Sequence, residues 1–410
     1  MLSLTSKQKE YWNGATHRWN VKCGATRSGK TYLDYYLIPK RIRSLKDEDG
    51  LVMLIGNTKG TLQRNIIEPL QNIWTPSLVS DIKADNTAIM FGQKVHCLGG
   101  DKISQVDKLR GSGIKYCYGD EVVTWDENVF QMLKSRMDKA YSIFDGTCNP
   151  EYPQHWFKEF IDSDADIFLQ NYTIYDNEFL SPAIVKALEQ EYAGSVFFDR
   201  YILGKWTLAE GLIYEVFASN TEDYLIDRAD LPPLAFISCG IDFGGNGSDH
   251  AFVASALSKD MNDLYVLRSE SIKAKGVGAD GIVNAFVMFC DAVKAEFGNI
   301  DYAFADSAEQ ALINTMNATQ KLRINNSIKN LIIDRIRCEI LLFNTKRIHI
   351  VKDHNEALID GLKNARWNDK KMNDERLDNG TSNIDILDAF EYSWEYWIKR
   401  LLGGRSCLKT

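Results

Sequence analysis

The first half of the chain alternates short apolar runs with longer segments in which apolar residues recur at helical spacing. Residues 51–56 are apolar throughout, a pattern typical of a strand buried on both faces of a parallel sheet. The segment 61–73 has helical spacing and ends before Pro76. Further strands are predicted at residues 88–91, 94–98, 114–119 and 142–147. This alternation predicts an α/β fold with a mostly parallel, doubly wound sheet.

The pattern changes after Pro232-Pro233, the strongest break in the chain. The second half starts with a predicted three-strand meander and continues with alternating helices and strands. The predicted strands are residues 235–242, 251–257, 264–269, 302–305 and 347–351, and the predicted helices are residues 280–297, 328–343, 355–365 and 384–402. We predict a first domain over residues 1–206, a linker over 207–232, a second domain over 233–402 and a tail over 403–410.

The composition is that of a globular protein with room for two cores, with 410 residues, 45% hydrophobic and 25% charged. The net charge of −8 argues against a protein that coats nucleic acid nonspecifically, although a local basic track is compatible with it. The eight cysteines include no C-x-x-C pair, which argues against a zinc site or a disulfide framework. The basic cluster Lys40, Arg41, Arg43 and Lys46 is expected to form a solvated helix face. Without a signal-peptide core or a membrane-spanning apolar stretch, we expect a soluble intracellular protein.

Residues 24–31 read Gly-Ala-Thr-Arg-Ser-Gly-Lys-Thr, a complete G-x-x-x-x-G-K-T phosphate-binding loop. In such a loop backbone N–H groups surround phosphate oxygens, Lys30 reaches the β- and γ-phosphates, and the Thr31 hydroxyl ligates Mg²⁺. A predicted strand precedes the loop and a predicted helix follows it, which is the order that the motif requires. The residues expected to bind ATP here are Gly24, Ala25, Thr26, Arg27, Ser28, Gly29, Lys30 and Thr31.

Hydrolysis of a nucleotide also needs a carboxylate that holds Mg²⁺ and a group that orients the attacking water. Asp120 and Glu121 follow a predicted strand and supply both, Asp120 for the metal and Glu121 for the water. Arg27 lies inside the loop and is a candidate for stabilising charge on the γ-phosphate, with a solvated arginine or a DNA contact as alternatives. Arg110 is a weaker candidate of the same kind. The predicted catalytic residues of this site are therefore Lys30, Arg27 and Glu121.

Three aspartates in the second half lie where they can converge. Asp242 and Asp306 each end a predicted strand, and Asp388 lies on the last predicted helix. Such a cluster is repulsive at neutral pH unless divalent cations occupy it, and hard cations prefer carboxylate oxygen. Two Mg²⁺ or Mn²⁺ ions about 4 Å apart could activate a water and stabilise the leaving 3′-oxygen in phosphodiester cleavage. Asp249 and Asp385, the latter one helical turn before Asp388, are candidate accessory ligands.

Taken singly, each of these aspartates is typical of a strand end or a helix cap. Their positions along the chain change this interpretation, because acids on the first strand, the fourth strand and the last helix of this order of elements are the ribonuclease-H-like nuclease layout. We therefore predict an α/β protein with an N-terminal P-loop ATPase domain and a C-terminal ribonuclease-H-like nuclease domain.

With these motifs the chain resembles the large terminase subunit of tailed double-stranded DNA phages over nearly its whole length. Thr5–Gln8 resembles the family's adenine-recognition element, which implies that Gln8 contacts adenine. Thr147–Pro150 resembles its coupling motif, which implies that Thr147 and Asn149 link hydrolysis to DNA movement. Residues 109–111 and 206–217 resemble its approach to the acidic strand and its linker. The pattern Asp385-x-x-Asp388-Ala389-x-x-Tyr392 resembles its last nuclease motif, in which many members have His where this chain has Asp385.

The resemblance implies a packaging motor that uses ATP to translocate double-stranded DNA through a portal into a procapsid and that cuts concatemeric DNA. The implied cofactors are ATP with Mg²⁺ in the first domain and two Mg²⁺ or Mn²⁺ in the second. The implied partners are double-stranded DNA, the small terminase subunit, the portal or procapsid, and further copies of the chain in a ring, with no membrane. The implied location is the host cytoplasm, transiently on the procapsid and not in the mature virion.

The residues alone leave two other interpretations open. One is a P-loop helicase or repair ATPase fused to a two-metal nuclease. The other is a nucleotide-regulated assembly protein whose second half is not catalytic. Spacing and charge indicate a nucleotide hydrolase and a candidate metal nuclease, whereas translocation follows only from the resemblance.

Overall fold

The chain folds into two compact units. The structure is a computed structural model that describes residues 4–105, 113–244, 248–274, 276–306, 310–319, 322–368, 370–371, 373–378 and 383–402. The first unit comprises Met1–Glu189 and Val196–Leu208, and the second comprises Gln190–Ser195 and Ala209–Lys409. Arg110 and the predicted tail over 403–410 lie outside the described residues.

The first unit is built around a mostly parallel β-sheet. Its strands are β1 (Trp19–Gly24), β2 (Leu51–Gly56), β3 (Thr87–Met90), β4 (Gln93–Gly99), β5 (Ile114–Gly119), β6 (Ile143–Cys148) and β7 (Ile167–Tyr172). They follow the order β3–β4–β2–β5–β6–β1–β7, in which β3 pairs antiparallel with β4 and the other neighbours are parallel. Strands β1 and β5 are buried along their whole length, as expected where helices cover both faces. The predicted α/β class is confirmed for this unit.

Helices cover the sheet of the first unit. They are α1 (Ser6–Gly14), α2 (Lys30–Ser44), α3 (Lys59–Leu62), α4 (Glu68–Trp74), α5 (Glu127–Arg136), α6 (Trp156–Ile161), α7 (Pro182–Tyr192) and α8 (Val196–Tyr201). The single helix predicted over 61–73 is divided, since a π-helical turn at Gln63–Ile67 joins α3 to α4. Helix α1 starts with a capping box in which Thr5 and Gln8 exchange hydrogen bonds. Short 3₁₀ turns lie at Ile103–Gln105, Val122–Thr124 and Ile174–Asp176.

The prediction of a solvated basic face on α2 is wrong for Arg41. The exposed side chains of Lys40, Arg43 and Lys46 fit it, but Arg41 is buried. The Arg41 Nε lies 2.9 Å from Oδ2 of Asp145 on β6. Arg41 is seven residues after Asp34, so both lie on the face of α2 that packs against the sheet. Consecutive basic residues on a helix point in different directions, and a charge run therefore does not define one face.

The second unit is also built around a mixed sheet. Its strands are β8 (Leu225–Ile226), β9 (Leu234–Asp242), β10 (Asp249–Ser258), β11 (Leu264–Lys273), β12 (Tyr302–Ala305), β13 (Ile324–Asn326) and β14 (Ile348–Val351). They follow the order β13–β12–β9–β10–β11–β14–β8. The meander β9–β10–β11 is antiparallel, and β12 and β13 continue parallel to β9 on its other side. This is the predicted ribonuclease-H-like arrangement, extended at the β11 edge by β14 and β8.

The helices of the second unit are α9 (Glu215–Ser219), α10 (Ala279–Glu296), α11 (Gln310–Thr319), α12 (Ile332–Asn344), α13 (Glu356–Asn364), α14 (Ile384–Trp394) and α15 (Ile398–Leu401), with 3₁₀ turns at Thr221–Tyr224, Arg228–Asp230 and Glu395–Trp397. Phe286 and Phe289 of α10 share a core with Cys239 and Ile241 of β9. Side chains alternate along a strand, so Gly240 faces the opposite side, where α14 packs. Among the described residues, none of the helices is long and apolar enough to cross a membrane.

The segment predicted as a linker, residues 207–232, contains α9 and β8. Strand β8 pairs in parallel with β14. The buried side chains of Tyr214, Phe217 and Tyr224 pack around Phe343 of α12. From Ala209 onward this segment therefore contributes to the core of the second unit.

Candidate nucleotide and metal sites

The phosphate-binding loop connects β1 to α2. Gly24 (φ 144°) and Gly29 (φ 86°) take backbone conformations that other residues rarely adopt. A Cβ atom at Gly24 would also collide with the carbonyl oxygen of Tyr172. Gly29 is the N-cap of α2 and has no side chain, so the first N–H groups and the positive end of the helix dipole are directed into the loop. This is the backbone geometry that binds phosphate.

Lys30 lies inside the loop and is buried. Its Nζ donates to the carbonyl oxygens of Gly24 (2.8 Å) and Ala25 (2.5 Å) and to Oδ1 of Asn149 (3.1 Å). Burial lowers the pKa of Lys30 to about 8, and the charge of Glu121 opposes this shift. Asn149, a predicted coupling residue, therefore contacts the predicted phosphate-binding lysine directly.

The structure brings Gln8 to the loop and leaves Arg27 exposed beside it. Gln8 is buried, and its Nε2 donates to the carbonyl oxygen of Gly29 at 2.9 Å. Arg27 has a left-handed backbone conformation (φ 54°), and its carbonyl oxygen accepts a hydrogen bond from Nδ2 of Asn177 at 2.7 Å. The Arg27 side chain is thus free of the core of this unit while its backbone is fixed.

The remaining loop residues are held by local hydrogen bonds. The Thr26 backbone N donates to the carbonyl oxygen of Tyr201 at 3.2 Å. Ser28 Oγ donates to the carbonyl oxygen of Ala25 at 2.8 Å. Thr31, the second residue of α2, is half-buried. These contacts fix the loop backbone, so its N–H groups are oriented in advance of any ligand.

Asp120 and Glu121 follow β5 and are joined by one threonine. The Thr147 hydroxyl donates to Oδ1 of Asp120 (3.3 Å) and accepts a hydrogen bond from the backbone N of Glu121 (3.2 Å). Glu121 has a left-handed backbone conformation (φ 49°). Burial, and then the charges of Glu121 and Asp34, raise the pKa of Asp120 to about 7. Thr147, predicted from the resemblance as a coupling residue, therefore contacts both acidic residues.

Three buried residues behind Asp120 were not predicted from the sequence as site residues. Lys22 Nζ of β1 lies 2.6 Å from Oδ1 of Asp34 on α2, and both side chains are fully buried. The Tyr118 hydroxyl lies 3.1 Å from Oδ2 of Asp34 and 3.4 Å from Oδ1 of Asp120. The signal available in the sequence is Lys22 itself, because a lysine inside a predicted buried strand requires an acidic partner in the interior.

In the second unit three predicted aspartates lie close together. The register of β9 and β12 pairs Ile241 with Ala305, so Asp242 and Asp306 are neighbours at one edge of the sheet. Asp388 lies on α14, which packs on β9. Burial, and then the charges of Asp388, Asp385 and Asp306, raise the pKa of Asp242 to about 8. The strand ends and the helix thus bring these carboxylates within electrostatic reach of one another.

The two candidate accessory residues are bonded to each other. The Asp385 carboxylate accepts a hydrogen bond from the backbone N of Asp249 at 2.7 Å. The Asp249 carboxylate in turn accepts one from Oγ of Ser271 at 2.9 Å. Burial raises the pKa of Asp385. Asp385 therefore ties the start of β10 to the start of α14, next to the aspartate cluster.

Basic side chains partly balance the cluster. Lys329 Nζ lies 2.5 Å from Oδ1 of Asp306, and Arg376 forms an ion pair with Asp388. Within the part of the chain that the structure describes, no three His, Cys, Asp or Glu side chains converge tightly enough to enclose an ion. The aspartates form a cluster of hard oxygen donors rather than a closed cage.

Gly240 lets α14 approach β9 two residues before Asp242. A Cβ atom there would collide with the carbonyl oxygen of Ala389 and come within 2.5 Å of the backbone N of Ser393. We expect Gly240→Ala to push α14 away and to destabilise the second unit by about 1–3 kcal/mol, the scale of overpacking. Denaturant unfolding of the full chain measures this loss.

The control for that substitution is Gly278→Ala. Gly278 has an ordinary φ of −79°, and a Cβ atom there meets nothing within 4 Å. We expect a loss of at most about 1 kcal/mol, because alanine is a poorer N-cap than glycine but no neighbouring atom has to move. Equal unfolding curves for Gly240→Ala and Gly278→Ala would contradict the close approach of α14.

The fold and the two sites define a P-loop nucleotide-binding unit followed by a ribonuclease-H-like unit. Residues 23–221 match the family model described as "Terminase large subunit, T4likevirus-type, N-terminal". This match, over the first unit and the start of the second, confirms the predicted resemblance to the large terminase subunit of tailed phages. A search of the curated proteins finds no match.

Solved structures similar to this chain include the large terminase of a thermophilic bacteriophage, known in several crystal forms. Crystal form 2 of that protein has a TM-score of 0.81 and 22% identity, covering 98% of this chain and 100% of the other. Its ADP complex has a TM-score of 0.77 and 22% identity, covering 97% and 100%. Its ATP-gamma-S complex has a TM-score of 0.75 and 22% identity, covering 95% and 98%. At this level of identity the similarity establishes the shared two-unit fold.

Proposed function

We propose that the first unit binds and hydrolyses ATP with Mg²⁺. The observation that carries this proposal is the segment after β6, where Asn149 contacts Lys30 and Thr147 contacts both Asp120 and Glu121. The phosphate-binding side and the acidic side of the site are thereby joined by one short segment. The thermophilic phage terminase forms complexes with ADP and with ATP-gamma-S, which supports nucleotide binding by this chain.

Each residue of this site has a proposed role. Loop N–H groups and Lys30 hold the phosphates, because both are hydrogen-bond donors within one phosphate-binding loop and the lysine adds a positive charge. Thr31 and Asp120, a hydroxyl and a carboxylate, fit Mg²⁺, which would neutralise phosphate charge when bound. Glu121 orients and deprotonates the attacking water. Gln8 contacts adenine, and Arg27, exposed beside the loop, stabilises charge on the γ-phosphate.

The second unit is proposed to cleave DNA with divalent metal. Asp242, Asp306 and Asp388 supply only carboxylate oxygens, the donors that Mg²⁺ and Mn²⁺ prefer. When bound, two such ions would activate a water and stabilise the leaving 3′-oxygen. Asp249 and Asp385 are assigned an accessory role, because each already carries a hydrogen bond that holds the surrounding backbone.

The two activities fit a phage packaging enzyme that moves double-stranded DNA through a portal into a procapsid and cuts concatemers. The family assignment supports this proposal. The proposed partners are DNA, the small terminase subunit, the portal or procapsid and further copies of the chain in a ring, with action in the host cytoplasm. Thr147 and Asn149, which contact both halves of the ATP site, are the proposed link between hydrolysis and DNA movement.

The proposal is tested by separating the two activities in the full chain. We expect Lys30→Ala to lower ATP hydrolysis at least ten-fold and to leave Mn²⁺-dependent plasmid cleavage near the wild-type rate, since the lysine acts only on phosphates of ATP. Asp242→Asn should lower plasmid cleavage at least ten-fold and leave ATP hydrolysis near the wild-type rate. Chelation of divalent metal by EDTA should abolish both activities.

The neutral variant Asp353→Asn, at an exposed carboxylate just after β14, is a matched control for Asp242→Asn and should keep both activities. Cleavage that survives each of Asp242→Asn, Asp306→Asn and Asp388→Asn would eliminate the nuclease proposal. ATP hydrolysis by Lys30→Ala at the wild-type rate would eliminate the ATPase proposal.

A further inference from the structure

A chain of buried polar groups runs beneath the phosphate-binding loop, from β1 to the acidic end of β5. It begins with Lys22, whose Nζ lies 4.2 Å above the ring of Tyr11 and 2.6 Å from Asp34. It continues through the Tyr118 hydroxyl to Asp120. All five side chains are buried. Burial of a charged or polar group costs free energy unless the group is paired. These groups therefore need either compensating contacts or a functional reason to be buried.

The backbone places these groups next to one another. Tyr118 lies in β5, and Asp120 directly follows the last residue of that strand. Because side chains alternate along a strand, residues two positions apart project to the same face of the sheet. Asp34 is four residues after Lys30, so it lies on the same side of α2 one turn further along. The Asp34 carboxylate is thus carried by the same helix whose first turn forms the phosphate site.

The Tyr118 hydroxyl has one proton and two carboxylate neighbours. Its oxygen is 3.1 Å from Oδ2 of Asp34 and 3.4 Å from Oδ1 of Asp120. The two distances fit a three-centre hydrogen bond, in which the shorter contact to Asp34 fixes the hydroxyl and the longer contact reaches Asp120. Asp34 is itself anchored by Lys22, and the position of the hydroxyl is therefore fixed by the ion pair and not by Asp120.

We propose that Tyr118 is a positioning residue for Asp120: the buried Lys22–Asp34 ion pair holds the Tyr118 hydroxyl, and the hydroxyl orients the Asp120 carboxylate for Mg²⁺. This rests on the proposed ATP site. Thr147 contacts the same Oδ1 of Asp120 at 3.3 Å, so two hydroxyls from different strands approach one oxygen of this carboxylate. Asp120 is thereby oriented before the metal arrives, and α2 and β5 are linked through the same hydrogen bonds.

The test uses the full chain and compares Tyr118→Phe with Tyr116→Phe. Tyr116 lies two residues earlier on β5 and is equally buried, but its hydroxyl has no hydrogen-bond partner among the described residues. Both substitutions remove one buried hydroxyl and keep the ring. Binding of ATP-gamma-S is measured in EDTA and over a titration of Mg²⁺, together with the thermal midpoint of unfolding.

We expect Tyr118→Phe to need about ten-fold more Mg²⁺ for half-maximal strengthening of nucleotide binding, the scale of one hydrogen bond to a charged group. Its affinity for the nucleotide in EDTA should stay within about two-fold of wild type. Tyr116→Phe should keep the wild-type Mg²⁺ dependence. In an Asp120→Asn background Tyr118→Phe should cause no further shift, because Tyr118 acts through that carboxylate.

A purely structural role predicts a lower unfolding midpoint for Tyr118→Phe with an unchanged Mg²⁺ dependence, and that result would overturn the proposal. If Tyr118→Phe does not fold, the double variant Lys22→Met/Asp34→Leu carries the same test with the same direction of shift expected, because it removes the ion pair that holds the hydroxyl and leaves no unpaired buried charge. A wild-type chain that binds no nucleotide would refute the proposed ATP site itself. If Mg²⁺ strengthens nucleotide binding by the wild-type chain and Tyr118→Phe shows the same Mg²⁺ dependence, only the positioning role is refuted.

Discussion

Replacing Glu121 by glutamine is expected to lower the turnover number of ATP hydrolysis by about a thousand-fold while ATP still binds. Glutamine has nearly the same shape and can still accept a hydrogen bond from water. It cannot take the proton that the water loses on attack. The bond from the Glu121 backbone N to Thr147 does not involve the side chain, so the local structure should persist.

The backbone at Glu121 supports this assignment. A non-glycine residue with φ 49° costs free energy, about 1–3 kcal/mol, and such residues cluster at functional sites. Here the strained turn directs Glu121 toward the loop, where its charge acts on Lys30. The strain therefore coincides with the side chain that has to face the nucleotide.

The measurement is steady-state hydrolysis together with equilibrium binding of a fluorescent ATP analogue. Glu127→Gln is the matched control, since Glu127 lies six residues later in the first turn of α5 and is exposed. We expect that control to hydrolyse ATP at the wild-type rate. A Glu121→Gln variant that retains a tenth or more of the wild-type turnover would show that another group deprotonates the water.

The sequence was sufficient to predict which of the candidate site residues lie at the ends of strands or helices. The loop at residues 24–31, the acidic pair after β5 and the aspartates at the ends of β9 and β12 all follow apolar runs. The point at which an apolar run stops at an acidic residue or a glycine can be read directly from the sequence. The fold class follows from the same runs, because parallel strands are apolar throughout. The helical spacing of apolar residues also predicted α14. It could not show that Gly240 allows this helix to pack closely against the sheet.

The buried ion pairs could not be predicted in this way. Lys22 and Asp34 are twelve residues apart in the sequence, and Arg376 and Glu391 are fifteen residues apart. A charged residue in an apolar run, such as Lys22, indicates that a partner is needed in the interior but does not identify it. The partner of Lys22 is determined by the packing of α2 on β1. The partner of Arg376 is determined by the packing of its segment on α14. The exposed Arg43 and the buried Arg41, two positions apart, illustrate this limit.

Arg376 is a buried arginine that pairs with two acids of α14. Its side chain is only 3% exposed, its Nη1 lies 2.5 Å from Oε1 of Glu391, and it is also paired with Asp388. Arg335 lies on the other side of Glu391, 2.6 Å from Oε2. Burial raises the pKa of Glu391, and Arg376 and then Arg335 oppose this shift. One arginine therefore connects the buried acid of α14 with an aspartate of the proposed metal site.

Arg376→Ala is expected to destabilise the second unit by about 3–5 kcal/mol, because it leaves buried acids without their main partner. Loss of cleavage should accompany this, since Asp388 loses the group that orients it. Calorimetry of the full chain measures the effect, with ATP and Mg²⁺ added so that binding raises the transition of the first unit and separates the two.

The control is Arg366→Ala, ten residues earlier and exposed, for which we expect a change within about 0.5 kcal/mol. Arg376→Lys should fall between the two, because lysine keeps the charge but cannot donate to two carboxylates in the fixed geometry of a guanidinium. If Arg376→Ala unfolds at the same temperature as Arg366→Ala, the ion pairs of Arg376 contribute nothing to the fold. If it is unstable but cleaves normally once folded, Asp388 is positioned by α14 alone, and the arginine serves the core and not the site.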